Sequence, residues 1–146
     1  MTGVHIVLGV ALVVINLSAG LYGAWAWWQW QPAPGFWPLV RAGQVLVALE
    51  AALGGVLILA GDDLPRLHLV YGLVPLGVSF VAEQLRLISA QTELDKQGLE
   101  GRAAVAALPE ARRRELVRAI LRREIGVMAA SALVIAFLGV RASGWL

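Results

Sequence analysis

Four long apolar runs constrain this chain more than any other feature of its sequence. They cover residues 3–27, 37–60, 67–88 and 125–140, and the first contains no Asp, Glu, Lys or Arg. A helix of about 20 mostly apolar residues is long enough to cross the hydrocarbon core of a bilayer. The composition agrees, since 59% of the residues are hydrophobic and 15% are charged, against about 45–50% and 25% in soluble domains. We therefore predict one all-α membrane domain over residues 1–146, an up-down four-helix bundle embedded in a lipid bilayer.

Proline and glycine mark the predicted turns between these spans. Residues 31–35 read QPAPG and residues 61–65 read GDDLP, and both stretches break helices. Pro109 is placed to begin the last helix, which then runs through the fourth apolar run. Between the third and fourth spans, apolar residues recur among charges over residues 89–124. This segment is predicted to be a cytoplasmic helical hairpin that extends spans three and four.

The distribution of basic residues predicts the orientation. Nine of the twelve Lys and Arg residues lie between Arg86 and Arg123, and Arg41 lies on the same side of the predicted bundle. Basic loops stay in the cytoplasm, so both chain termini are predicted to lie outside, in a multi-pass protein of the bacterial cytoplasmic (inner) membrane. Five tryptophans around the first loop are typical of the aromatic belt at a membrane boundary: Trp25, Trp27, Trp28, Trp30 and Trp37.

The same distribution bears on partners. The basic hairpin is expected to face lipid headgroups, and the alternative is that it docks other membrane subunits. A homo-oligomer is compatible with the pattern. Nucleic acid is not an expected partner, because the basic residues flank membrane spans. The chain contains no cysteine, which excludes thiolate metal sites and thiol nucleophiles.

An internal repeat carries the only two histidines. Residues 4–10 read VHIVLGV and residues 67–73 read LHLVYGL. Spans one and three run in the same direction, so His5 and His68 are expected at similar depth near the outer surface. Gly9 and Gly72 follow four residues later on the same helix faces and would leave room for a flat ligand.

This repeat predicts a haem site. Spans one and three are diagonal neighbours in an up-down bundle, and two imidazoles reaching inward could hold one haem iron. Arg66 and Arg141 lie on the same side and could pair with haem propionates. Two alternatives remain: the histidines are interfacial residues at span ends, or Asp62 and Asp63 join them in a zinc or copper site.

The sequence also resembles part of a haem A synthase. The resemblance covers spans one to three: the helix led by His5, a second helix reading RAGQVL (residues 41–46) and LGGVLIL (residues 53–59), and LHL (residues 67–69) opening the third. It implies that His5 and His68 are axial haem ligands and that Gln44 is a bundle-interior residue. That family has eight spans in two halves, so the resemblance implies a haem-binding half-fold without the synthase reaction. The whole chain further resembles small four-span membrane proteins of high-GC bacteria.

Polar residues inside the spans allow other interpretations. Glu50 lies near the middle of span two, and we expect it to be protonated or hydrogen-bonded to Asn16, Gln44 or Ser79. Such a group serves either a proton relay or helix packing. Glu83, in span three, is expected to form an ion pair with a neighbouring arginine three residues on.

These features lead to one functional prediction and two alternatives. We predict a b-type, bis-histidine haem protein for electron transfer or haem handling near the outer leaflet. The alternatives are a non-catalytic accessory subunit of a membrane complex and a small oligomeric transporter. The sequence contains no recognisable nucleophile–base pair or phosphate-binding loop, so catalysis is not predicted.

Overall fold

The computed structural model describes residues 2–61 and 65–144. These residues form five helices: α1 (Thr2–Gln29), α2 (Phe36–Leu59), α3 (Arg66–Lys96), α4 (Gly101–Ala106) and α5 (Glu110–Ala142). The four long helices are sufficiently long and apolar to cross a membrane. The predicted all-α bundle is confirmed, and the chain is a multi-pass membrane protein in a lipid environment.

Proline and glycine set helix ends where the sequence pattern predicts them. Pro65 and Pro109 immediately precede α3 and α5, and their carbonyls accept the first-turn N–H groups of Leu69 and Arg113 at 3.2 and 3.0 Å. Proline suits this position because the first helical N–H groups have no intrahelical partner. Beyond α2, Gly61 adopts φ +92°, a left-handed conformation that glycine tolerates without steric cost.

The four long helices form a ring in the order α1, α2, α3, α5. Helix α1 packs extensively on α5 and α2, and α3 packs on α5 and less closely on α2. Helices α1 and α3 are therefore diagonal, and their backbones make few direct contacts. We call the end of the bundle that carries residues 97–109 the hairpin side, and the end where α1 begins and α5 finishes the terminal side.

The two ends of the bundle differ in packing. In α1 the first buried residue is Leu12, and in α3 it is Pro75. In α2, which runs the other way, the last buried residue is Val47. In α5 they stop at Ala136. None of the described residues closer to the terminal side is buried. The hairpin-side half is thus closed and the terminal-side half is open.

The space around the glycines differs in the same way between the two halves of the bundle. A methyl group at Gly20 would lie 2.6 Å from Leu133, and one at Gly126 would lie 2.8 Å from the Trp27 indole nitrogen. Small residues let membrane helices approach closely in this way. A methyl group at Gly9, Gly54 or Gly72 would meet nothing within 4 Å.

Candidate functional site

The terminal-side half brings the two histidines together. His5 comes from α1 and His68 from the diagonal helix α3, and their ring centroids lie 5.7 Å apart with the ring planes inclined by 67°. Their side chains bridge the centre of the ring of helices where the backbones themselves do not meet. The repeat in the sequence therefore corresponds to a real juxtaposition.

Each ring has an oxygen beside its Nδ1 atom. His68 Nδ1 lies 3.1 Å from the carbonyl oxygen of Ala142, near the end of α5. A carbonyl can only accept, so this contact places the proton of the neutral ring on Nδ1. His5 Nδ1 lies 2.6 Å from Glu50 Oε2, so Glu50 from α2 completes what we call the terminal-side cluster: His5, Glu50 and His68.

The contact between His5 and Glu50 is close but poorly aligned. His5 Nδ1 and Glu50 Oε1 are both buried without an aligned hydrogen-bond partner among the described residues. The two side chains are therefore in close contact without the geometry of a hydrogen bond. Buried polar atoms are rarely left without a partner, so these two atoms are unusual among the described residues.

Gly9 and Gly72 lie one turn from the histidines toward the hairpin side. Neither glycine has a neighbour within 4 Å of the position that a Cβ would occupy. The space beside the two helices is therefore open below the rings.

The two predicted propionate partners lie at the same end of the bundle. Arg66 is exposed at the first turn of α3. Arg141 lies in the last turn of α5, with its guanidinium carbon 5.7 Å from the centroid of the Tyr71 ring. Neither arginine forms an ion pair with another described residue. Asp62 and Asp63 lie outside the described residues, so the structure does not address their proposed part in a zinc or copper site.

A metal ion held by protein ligands alone finds no site in the described part of the chain. No group of three or more His, Cys, Asp or Glu side chains there is arranged to hold an ion. Zinc sites in proteins have three or four protein ligands. A haem iron needs only two axial protein ligands, and this is the number of imidazoles that meet here.

The other predicted interior residues lie deeper. Asn16 is 2% exposed and donates to the Leu12 carbonyl at 2.9 Å. Gln44 donates to Glu83 Oε1 at 2.8 Å, and Ser79 Oγ is buried without a partner among the described residues. Glu50 was expected to be either protonated or hydrogen-bonded to one of these three residues, and the second of these alternatives was wrong. Glu50 instead contacts His5 of the neighbouring helix α1.

A second polar cluster closes the hairpin-side end of the bundle. Glu83 accepts hydrogen bonds from Arg41 and Arg86 at 2.6 and 2.9 Å, in addition to the one from Gln44. Arg86 also lies 3.9 Å from Glu124 of α5. The predicted pair of Glu83 and Arg86 is confirmed, and it belongs to a network that ties α2, α3 and α5 together. Both carboxylate oxygens of Glu83 accept hydrogen bonds, so the network is best explained as a structural clamp.

Two contacts of the terminal-side cluster had no signal in the sequence. The Ala142 carbonyl is a backbone group, which any residue type supplies. The contact of Glu50 with His5 depends on how α1 and α2 are rotated against each other.

No family model, curated protein or solved structure matches the chain.

Proposed function

We propose that this protein is a small b-type haem protein with His5 and His68 as axial ligands, which transfers electrons or handles haem. The outer leaflet of a bacterial cytoplasmic membrane is its proposed location, with both termini outside. The observation that carries the proposal is the meeting of the only two histidines, 5.7 Å apart, from helices that are diagonal in the bundle. The resemblance to half of a haem A synthase, which rests on the same two histidines, is in keeping with it.

The spacing of the rings is close to what one iron requires. Metal–nitrogen bonds to histidine are about 2.0–2.1 Å long, so two rings on opposite sides of one ion have centroids about 6–6.5 Å apart. The rings here would have to separate by less than about 1 Å. The open packing of the terminal-side half permits a movement of this size.

The partners of Nδ1 support ligation through the other ring nitrogen. Histidines that bind a metal usually donate their second N–H to a carboxylate or a backbone carbonyl, which fixes the orientation of the ring. Here the Glu50 carboxylate lies beside Nδ1 of His5, and the Ala142 carbonyl lies beside Nδ1 of His68. Neither ring Nε2 has a hydrogen bond to a described residue, so both lone pairs remain for a ligand.

The remaining residues have defined tasks in this proposal. Gly9 and Gly72 would let the macrocycle approach the helix backbones, and Arg66 and Arg141 would pair with propionates. Haem, when bound, supplies a one-electron couple whose potential depends on its ligands and surroundings. Glu50, beside His5, would hold that imidazole in position.

The visible spectrum of the protein tests the proposal. Wild-type protein purified in mild detergent, with added haem if necessary, should show a sharp Soret band and the split α/β bands of a low-spin, bis-histidine haem after reduction. His5→Ala and His68→Ala should each lose the low-spin spectrum. A protein that stays colourless and takes up no stoichiometric haem would refute it.

Two glycines provide a matched pair of variants that keep both histidines. Gly72→Leu fills the space below His68 and should lower haem occupancy. Gly77→Leu places the same side chain on the same helix where it also meets open space, away from the rings, and should leave the spectrum unchanged. Equal loss of haem in both variants would indicate a general folding defect.

The contact of Glu50 with His5 favours one competing function. A polar contact of 2.6 Å between α1 and α2 can serve as a structural tie in a non-catalytic accessory subunit. In that case the protein is colourless, and Glu50→Leu lowers the stability of the bundle without any spectral change. Deletion of residues 97–108 would then release co-purifying membrane subunits.

A further inference from the structure

Arg122 contacts two indole rings at the hairpin-side end of the bundle. Its guanidinium carbon lies 3.7 Å from the Trp30 ring centroid and 4.7 Å from the Trp27 ring centroid. Its Nε donates to the Trp27 carbonyl at 3.0 Å. The Trp27 indole packs directly on Gly126 of α5. The guanidinium is thereby fixed against the first loop with its terminal Nη groups still available.

The backbone is strained at this position. Trp30 adopts φ +55°, a left-handed conformation that costs a bulky residue roughly 1–2 kcal/mol. The chain closes there with the Gln31 N–H donating to the Ala26 carbonyl at 3.1 Å. This turn brings the Trp30 ring over Arg122. Such strain persists where surrounding contacts hold it and is frequent at binding sites.

The charges at this boundary are not evenly matched. Arg41, Arg86 and Arg123 each have a carboxylate oxygen within 3.5 Å. Arg122 and Arg118 have none within ion-pair distance among the described residues. These two lie four residues apart on α5, and therefore on one helix face. Two positive charges are thus left together without a counter-charge at the membrane boundary.

We propose that Arg122 and Arg118 bind the headgroup of an anionic phospholipid. A phosphate diester offers the paired oxygens that a guanidinium fork recognises, and an anionic headgroup lacks the positive charge that a zwitterionic one would bring near the arginines. Trp30, whose ring lies over Arg122, and Leu121, which precedes Arg122 in α5, are 63% and 44% exposed. They provide apolar surface beside Arg122 for glycerol and acyl chains. A soluble anion would gain nothing from these side chains, so the lipid is the ligand that fits the surface.

Native mass spectrometry of the full chain released from nanodiscs tests this site. The nanodiscs contain equimolar phosphatidylglycerol and phosphatidylcholine, and the lipids retained by the protein are identified. Wild type should retain phosphatidylglycerol preferentially, by about fivefold for each arginine, given the weight of one basic residue near an anionic surface. Arg118→Gln should lower that preference about fivefold, and the double variant with Arg122→Gln should abolish it. Arg112→Gln is the matched control, because Arg112 is on the same helix but is paired with Glu115.

The outcomes are distinct. Arg118 is exposed, so Arg118→Gln reports on the site even if the double variant fails to fold. A preference that survives Arg118→Gln, or that falls equally in Arg112→Gln, would overturn the proposal. Displacement of phosphatidylglycerol by millimolar inorganic phosphate would identify a soluble-anion site instead. The result of this experiment does not depend on the haem proposal, because Arg118 and Arg122 lie at the opposite end of the bundle from the histidines.

Discussion

The difference between the closed and open halves of the bundle can be measured with a single type of substitution. Gly9 and Gly23 both lie in α1, and Gly→Ala can be made at each. A methyl group at Gly23 would overlap the Phe36 ring and lie 2.8 Å from Ala129 Cβ, whereas one at Gly9 would meet nothing within 4 Å. Phe36 is fully buried, so its ring has little freedom to move away.

The magnitude follows from two effects. Overpacking a closed core typically costs about 1–3 kcal/mol. Alanine gains about 0.8–1.0 kcal/mol over glycine in a helix interior, and this gain is common to both sites. Gly9→Ala should therefore be neutral or stabilising, and Gly23→Ala should be about 1–3 kcal/mol less stable than Gly9→Ala. Adding Phe36→Leu should relieve part of the cost, because residues in contact are energetically coupled.

Equilibrium unfolding in mixed micelles provides the assay. Sodium dodecyl sulfate is titrated into the detergent-solubilised protein, and helical circular dichroism gives the free energy of unfolding of each variant. Equal free energies for Gly9→Ala and Gly23→Ala would refute the division into closed and open halves. A loss from Gly23→Ala that is as large in a Phe36→Leu background as in the wild type would show that the overlap with Phe36 is not its cause.

Three further predictions concern the polar contacts of the hairpin side and the orientation of the chain. Glu83→Gln should destabilise the bundle by about 1–3 kcal/mol, because the Glu83 carboxylate accepts hydrogen bonds from three side chains and charge-assisted bonds are lost. The same detergent titration measures this loss, and an unchanged midpoint would contradict a clamping role. Arg112→Gln should change stability by less than about 0.5 kcal/mol, because its pair with Glu115 is exposed; a larger loss would reveal an interaction beyond this pair. Since the chain has no native cysteine, Gln97→Cys should react with an impermeant maleimide only after cell lysis and Ser143→Cys in intact cells; the reverse pattern would invert the proposed orientation.

The helices were predictable because their causes are local. Apolar runs of membrane length specify spans wherever they occur in a chain, and Pro65 and Pro109 restrict the backbone whatever they later contact. Even the meeting of His5 with His68 was accessible, because the repeat gave both residues the same depth and direction. The Glu83–Arg86 pair was accessible for the same reason, being three residues apart on one helix.

The partners of several polar residues were not predictable from the sequence. Glu50 was expected to bond Asn16, Gln44 or Ser79, and it meets His5 instead. Arg122 reads in the sequence as one more basic residue of the hairpin, yet it is enclosed by two tryptophans from the first loop. Each of these contacts depends on the rotation of one helix against another and on the reach of a long side chain.

The sequence alone therefore determined where the membrane helices lie, because hydropathy and backbone restriction act residue by residue. Only the tertiary structure decided that the hairpin-side half closes while the terminal-side half stays open around His5, Glu50 and His68. Closure depends on which small residues face which large ones, as where Gly23 meets Phe36. That complementarity is a property of pairs of helices, and an apolar pattern along one helix does not contain it.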